Sequence, residues 1–386
     1  MIGGARAREF FPWRHACARA ARVSRFRVAL IALMATSDAL GASTDVEAKM
    51  AQFEAGADAE AIALARGPMA PGGLLAQLMP AQRYAQISDP NDFGGVGNSA
   101  GRREVPCASL AELRAAVILI SGQSNAANRA DLDSDGRAFR IDRPIFNFNF
   151  ADEKCYRAEN PLLGADGPYQ SFALPLAAQL IDARIFRRVL LVPIAVAGTL
   201  IEEWAPPSGH HWVRFSRSVA GLNRLGLQPH FILWHQGEGN AGFLTAGANS
   251  LQPARTIGPN ASQTTRDALR LSYIRSFLRI VDGLRTLGVS APILPAVATL
   301  CGTGQVSPDI RAAQLSLPDA GWNIHAGPDT DELGLAYRSS NDGCHFSHEG
   351  NQVHARKWLE VLQAHLALHP LHSRVVPDVQ LPANGK

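Results

Sequence analysis

Five apolar runs of strand length mark the chain from about residue 115 onward. They are Ala115–Ile120, Val189–Val196, Phe231–Trp234, Pro292–Val297 and a weaker alternating run at Ile145–Phe150. Between them Gln170–Arg184, Val213–Leu225 and Asp267–Leu287 carry apolar residues at helical spacing, and Gly350–Leu368 supplies a closing helix. Strands apolar on both faces and alternating with helices predict an α/β fold: a three-layer α/β/α sandwich around a mostly parallel, five-stranded sheet. In such sheets chemistry gathers beyond the carboxyl ends of the strands, so the residues that follow each run are the ones that matter.

Upstream of this pattern, Val46–Ala65 is Ala-rich and predicts helix, and Gly67–Gly101 is a Gly/Pro-rich loop region. Residues 43–112 therefore read as a structural extension, 113–368 as the main domain and 369–386 as a tail. The start of the chain differs in charge. Residues 1–41 hold seven Arg against Glu9 and Asp38, so the net charge of +3 becomes −2 over the remainder. A near-neutral body gives no argument for nucleic acid as a partner. The Arg-rich segment leads into the short apolar run Val28–Ala35 and then small residues at Ala39, Gly41, Ala42 and Ser43, the pattern of a secretory signal peptide over 1–42. A secreted or periplasmic protein is expected, with no membrane association once the leader is cleaved. No stretch of eighteen apolar residues is present, which excludes a multispan membrane protein. At 386 residues, with 46% hydrophobic, the chain has ample length for a buried core.

The polar clusters sit where the fold expects them. The first run ends in Ser121-Gly122-Gln123-Ser124-Asn125, where a Gly before a Ser can expose the hydroxyl on a turn; a Ser/Asn helix cap would look the same. G-x-S-x-G is lacking, which argues against a standard α/β-hydrolase elbow. The run Val189–Val196 leads to Ala197-Gly198-Thr199 and then Glu202-Glu203-Trp204, and Phe231–Trp234 runs into His235-Gln236-Gly237-Glu238-Gly239-Asn240. Polar side chains packed at the end of a buried strand are costly unless hydrogen-bonded or used. The last cluster, Asn341 to Gly350, holds Asp342 and His345 three residues apart. That spacing sets a carboxylate beside imidazole Nδ1–H and leaves Nε2 free as a base. His348 competes with His345, and the two could together bind metal, but neither H-E-x-x-H nor H-x-x-E-H occurs and no metal is expected. Apart from His15, every His lies at 210 or beyond, so a base for Ser124 has to come from the second half.

Taken in order, Gly122-Gln123-Ser124-Asn125, Gly198-Thr199 with Glu203-Trp204, Trp234-His235-Gln236-Gly237-Glu238 and Asp342-Gly343-Cys344-His345 resemble the successive blocks of SGNH-type hydrolases. The branch most like this chain is the sialate O-acetylesterase-like group, which includes the acetylxylan esterases of carbohydrate esterase family six. Arg311 and Gln314 look like that group's Arg-x-x-Gln helix, and the resemblance spans about residues 113–365. It implies an SGNH/flavodoxin-like domain with Ser124 as nucleophile, His345 as general base and acid, and Asp342 as the residue orienting His345. Backbone N–H groups of Ser124 and Gly198 and the Gln236 amide would form the oxyanion hole. The chain departs from the wider pattern in having Gln236 where Asn is usual and Ala197 in place of the first Gly of Gly-Gly-Thr.

The expected function is removal of O-acetyl groups from carbohydrates by a serine esterase acting through an acetyl-enzyme, without cofactor. Gln123, Asn125, Trp204, Glu238 and Arg311 are candidate substrate-side or supporting residues. Two other readings remain open: a non-catalytic carbohydrate-binding protein on the same fold, and a lipase or thioesterase of the superfamily. Cys17 would leave with the leader, and Cys107, Cys155, Cys301 and Cys344 allow three pairings. Cys301 follows a strand and Cys344 lies in the candidate catalytic loop, which favours Cys301 with Cys344 and, by elimination, Cys107 with Cys155.

Overall fold

The strand Ala116–Gly122 (β2) is buried along its whole length and lies in the interior of a seven-stranded sheet, with a parallel neighbour on each side. In this computed structural model the described residues are 46–68, 98–242, 260–302 and 305–371. The chain divides into a unit of Met1–Glu47 and a unit of Ala48–Lys386; fold and site lie in the second. The expected leader at 1–42, most of the Gly67–Gly101 loop and nearly all of the expected tail fall outside the described residues.

Five strands run parallel: β3 (Ile145–Asn149), β5 (Val189–Pro193), β2, β6 (Phe231–His235) and β7 (Ile293–Pro295). They coincide with the five apolar runs, because a strand covered on both faces needs apolar residues at successive positions. Two further strands, β4 (Lys154–Arg157) and β1 (Glu104–Val105), extend the β3 side in antiparallel register. The sheet thus has seven strands where five are predicted; Lys-Cys-Tyr-Arg and Glu-Val are too short and polar to register as apolar runs. A flavodoxin-type order would set β3 beside β2, but here β5 lies between them.

Helices cover both faces. On one side α3 (Ala173–Asp182) and α8 (His348–Leu368) bury Leu174, Leu176, Ala177, Leu180, Ala355, Trp358 and Leu362 against Ala116, Ile118 and Ile120. On the other, α4 (Trp212–Arg224) and α6 (Gln263–Thr286) bring Phe215 and Phe277 against Trp234. The helices begin where side chains accept from orphan N–H groups: Ser262 Oγ takes Thr265 N–H, and Ser347 Oγ takes Gly350 N–H. The Ala-rich stretch near the start is interrupted. After helical residues 46–54, Gly56 adopts φ +81°, and Asp58 then caps α1 (Ala59–Arg66) through Glu60 N–H.

The connections run to opposite sides of β2, with β3 and β5 on one side and β6 and β7 on the other, so the carboxyl end of β2 is a topological switch point. Both expected cysteine pairs are disulfides. Cys107 at the start of α2 (Cys107–Glu112) joins Cys155 in β4, and Cys301 joins Cys344. Cys107 and Cys155 are 48 residues apart, and closing such a loop restricts the unfolded chain by about 4 kcal/mol in the chain-entropy account. Replacing both with Ala should lower the unfolding free energy by about that amount in urea titration; an unchanged value would show that the bridge does not constrain the unfolded state.

Candidate active site

Gly122 ends β2 at φ +123°, with its Cα partnered to His235 of β6. A Cβ there would lie 2.0 Å from the His235 carbonyl oxygen, so only glycine lets the two strands stay this close as the chain turns. Gln123 N–H then donates to His235 O at 2.9 Å, and Ser124 opens a single helical turn, Ser124–Ala126. The Ser124 hydroxyl is buried and makes no hydrogen bond among the described residues.

The candidate base comes from the far end of the sequence. Asp342 Oδ1 accepts the backbone N–H groups of Cys344 (2.8 Å) and His345 (3.0 Å), folding the loop so that Oδ2 receives His345 Nδ1 at 2.5 Å. Nδ1 therefore carries a proton, and Nε2 is buried without a hydrogen-bond partner among the described residues. Burial alone would raise the pKa of Asp342; the hydrogen bonds from His345 and from the two backbone N–H groups outweigh it and hold the carboxyl at about 2. Gly343, at φ +63°, completes the turn.

Three contacts pin this loop. Cys344 is bridged to Cys301, its carbonyl accepts Arg338 Nη1 at 2.8 Å, and the same carbonyl accepts Asn125 Nδ2 at 3.2 Å. The last joins the neighbour of Ser124 to the neighbour of His345, while Ser124 Oγ and His345 Nε2 do not hydrogen-bond to each other. Asn125 Nδ2 also donates to Glu238 Oε1 at 2.8 Å, and Glu238 Oε1 meets His235 Nε2 at 3.0 Å. Burial would raise the Glu238 pKa, but the neighbouring His235 and these hydrogen bonds lower it, so the group is a buried carboxylate. His348 is turned elsewhere, its Nδ1 accepting from Gln170 Nε2 at 2.9 Å. The two histidines of this loop serve different partners.

Several expected substrate-side residues hold the protein itself. Trp204 is fully buried, its Nε1 donating to Thr199 Oγ1 at 2.9 Å while its ring packs edge-on against Trp234. Arg311 is paired with Asp329 and reaches Asp331 at 3.3 Å. Gln123 Oε1 accepts Gly239 N–H at 2.9 Å, fixing the turn after β6.

Gln236 is the main correction. Its Nε2 donates to Asn240 Oδ1 (2.6 Å) and to Thr199 O (3.1 Å), so both amide hydrogens are used and neither meets a developing oxyanion. The orientation is not interchangeable. Asn240 Oδ1 also accepts Ile201 N–H at 3.1 Å and so is fixed as an acceptor facing Nε2; the backbone carbonyl of Gln236 accepts Tyr273 Oη and Gln314 Nε2, at 2.7 and 2.9 Å, while its side-chain Oε1 is buried without a partner among the described residues. Gln236 is a clamp between the turn after β6 and the Gly198-Thr199 loop. Gly198 lies at φ +70°, preceded by Ala197, whose N–H donates to Asp166 Oδ2 at 3.0 Å. Asp166 and Arg338 are supporting residues that sequence reasoning did not single out; an Asp between glycines in Gly164-Ala165-Asp166-Gly167 is a hint to the first.

Residues 114–249 match the family model described as carbohydrate esterase, sialic acid-specific acetylesterase. Over that segment the chain resembles the sialic acid-specific acetylesterase family. The match supports esterase function in general, as a carboxylic ester hydrolase. Among solved structures, a protein from Arabidopsis thaliana aligns at 23% identity and TM-score 0.46, over 65% of this chain and 97% of that one. NanS aligns at 16% identity and TM-score 0.39, over 65% of this chain and 98% of that one. A carbohydrate acetylesterase from Xanthomonas citri aligns at 16% identity and TM-score 0.38, over 66% of this chain and 56% of that one. No curated protein matches the sequence.

Two outcomes follow for the esterase-like site. Gln236→Ala should destabilise by about 1–3 kcal/mol, the cost of leaving buried acceptors unpaired, read as a drop in urea midpoint; a normal midpoint would return Gln236 to a catalytic role. Because the Asp342 pKa is lowered to about 2 in the folded chain, its contribution to stability is complete above the ordinary carboxylate pKa of about 4. That contribution is lost as pH falls from there through the folded value. Asp342→Asn should therefore flatten the stability profile in this window, and an unchanged acid slope would contradict the pairing.

Proposed function

We propose that this chain is a serine esterase that removes O-acetyl groups from carbohydrates through an acetyl-enzyme intermediate. One observation carries the reading: the Ser124 hydroxyl and His345 Nε2 are buried polar atoms without hydrogen-bond partners among the described residues, set on two segments that Asn125 ties together. Buried polar groups are ordinarily satisfied, and unpartnered ones need an explanation such as a catalytic role. His345 takes the Ser124 proton as the oxygen attacks the acetyl carbonyl, and Asp342 holds the imidazole in the required tautomer and stabilises its cation. The oxyanion is met by backbone N–H groups of Ser124 and Gly198; the first N–H groups of a helical turn have no acceptor within that turn. Water then attacks the acetyl-enzyme with His345 again as base.

Glu238 and Asn125 are positioning residues in this scheme. Asn125 holds the Cys344 carbonyl beside His345, and Glu238 fixes the Asn125 amide. The acetylated carbohydrate as substrate rests on the family likeness over residues 114–249. Export to an oxidising compartment, secreted or periplasmic, fits two disulfides formed by the four cysteines downstream of the expected leader.

Acetate release from a panel of acetylated glycans, including acetylated sialic acid and acetylxylan, tests the function. Turnover of long-chain acyl esters in preference to acetyl esters would favour the lipase reading, and no turnover of any ester would favour a binding protein. Ser124→Ala should lower kcat by about a millionfold in folded protein and abolish acetyl transfer to the chain, followed by mass spectrometry. His345→Ala should abolish turnover while His348→Ala reduces it modestly; the reverse order would reassign the base.

A further inference from the structure

A second cluster of nitrogen ligands lies at the opposite edge of the sheet. His325 N–H donates to the carbonyl of Ile293, the first residue of β7, and the His365 ring sits edge-on to Phe231, the first residue of β6, at 5.8 Å. Ser124 and Gln236 follow the other ends of β2 and β6, so a strand's length, about 16 Å for five residues, separates this cluster from the candidate active site. His365 lies in the last turn of α8 and His369 caps that helix. The three ring centroids are 4.5, 4.8 and 5.0 Å apart, and one nitrogen from each ring lies within 4.8 Å of the others.

We infer that His325, His365 and His369 form a binding site for a divalent transition-metal ion of the zinc type. Three observations support the assignment. Imidazole nitrogens are preferred ligands for zinc, at about 2.0–2.1 Å, and three of them with an open fourth position are a known donor set; small side-chain rotations would bring the rings into that range. The second concerns the tautomer of His325. Asn323 Nδ2 donates to Ser290 O at 2.9 Å, which turns Asn323 Oδ1 toward His325 Nε2 at 2.8 Å. Nε2 therefore carries the proton and Nδ1 keeps a lone pair, the outer hydrogen bond that orients a metal-ligating histidine. Third, the site lies at the carboxyl end of α8, where the helix dipole favours a cation.

His369 is exposed, which leaves the cluster open to solvent on one side.

Calorimetric titration of zinc chloride into chelator-treated full-length chain should show one saturable site, and bound cobalt should give the visible absorption of a tetrahedral, nitrogen-ligated ion. His369→Ala and His325→Ala should each weaken zinc affinity by about tenfold or more, in line with the 10- to 100-fold cost of disturbing even a supporting partner. Both should abolish the cobalt spectrum and the rise in melting temperature that zinc produces in the parent chain. His369 is exposed, so its loss tests the site without disturbing the fold. Absence of saturable zinc binding, or affinity unchanged in both variants, would overturn the assignment and leave a packed histidine cluster.

Discussion

The amide of Asn125 donates one hydrogen to the Glu238 carboxylate and the other to the Cys344 carbonyl, groups 113 and 219 residues further along the chain. All three are buried, so each hydrogen bond acts in a medium of low dielectric, and the loss of any one leaves a polar atom stranded. The Glu238 charge is tolerated because His235 and Asn125 face it. Without that joint the segment carrying Ser124 and the loop carrying His345 would be independent pieces of surface. With it, the strand end, the turn after β6 and the disulfide-bridged loop form one rigid unit.

The same economy governs the whole carboxyl edge. Beyond the strand ends the backbone has lost its ladder partners, and buried N–H groups must find acceptors elsewhere. Side chains supply them: Gln123 for Gly239, Asn240 for Ile201, Asp166 for Ala197, Gln314 for Ala298, and Asp331 for both Thr299 and Leu300. A dense ring of Gln, Asn and Asp around an active centre therefore need not touch substrate. Much of it replaces the missing sheet.

That distinction explains how far the fold and the candidate site are legible without coordinates. The five parallel strands can be read because burial on both faces writes itself as consecutive apolar residues, as in Val189–Pro193. The pair Asp342 and His345 can be read because three residues of separation is enough to define a turn. Gln236 misleads for the opposite reason: its residue type and place suit an oxyanion donor, but the direction of its amide depends on Thr199 and Asn240, which composition does not reveal. Trp204 and Arg311, open in sequence to a substrate-side or a supporting role, are seen to hold the protein itself through partners set by packing. The histidine cluster escapes notice because His325 is remote in sequence from His365 and His369, and only the return of α8 along the sheet unites them.

The antiparallel pair β4 and β1 ends the sheet on a strand of two residues, Glu104 and Val105, held by the Cys107–Cys155 bridge. An open sheet is a template: unpaired backbone along its border recruits strands from other chains, the first step toward edge-to-edge aggregation. Here the border is shortened to a stub, and the ion pair of Lys154 with Glu104 places charge beside it. This trimming of the β3 side is a form of colloidal protection built into the topology.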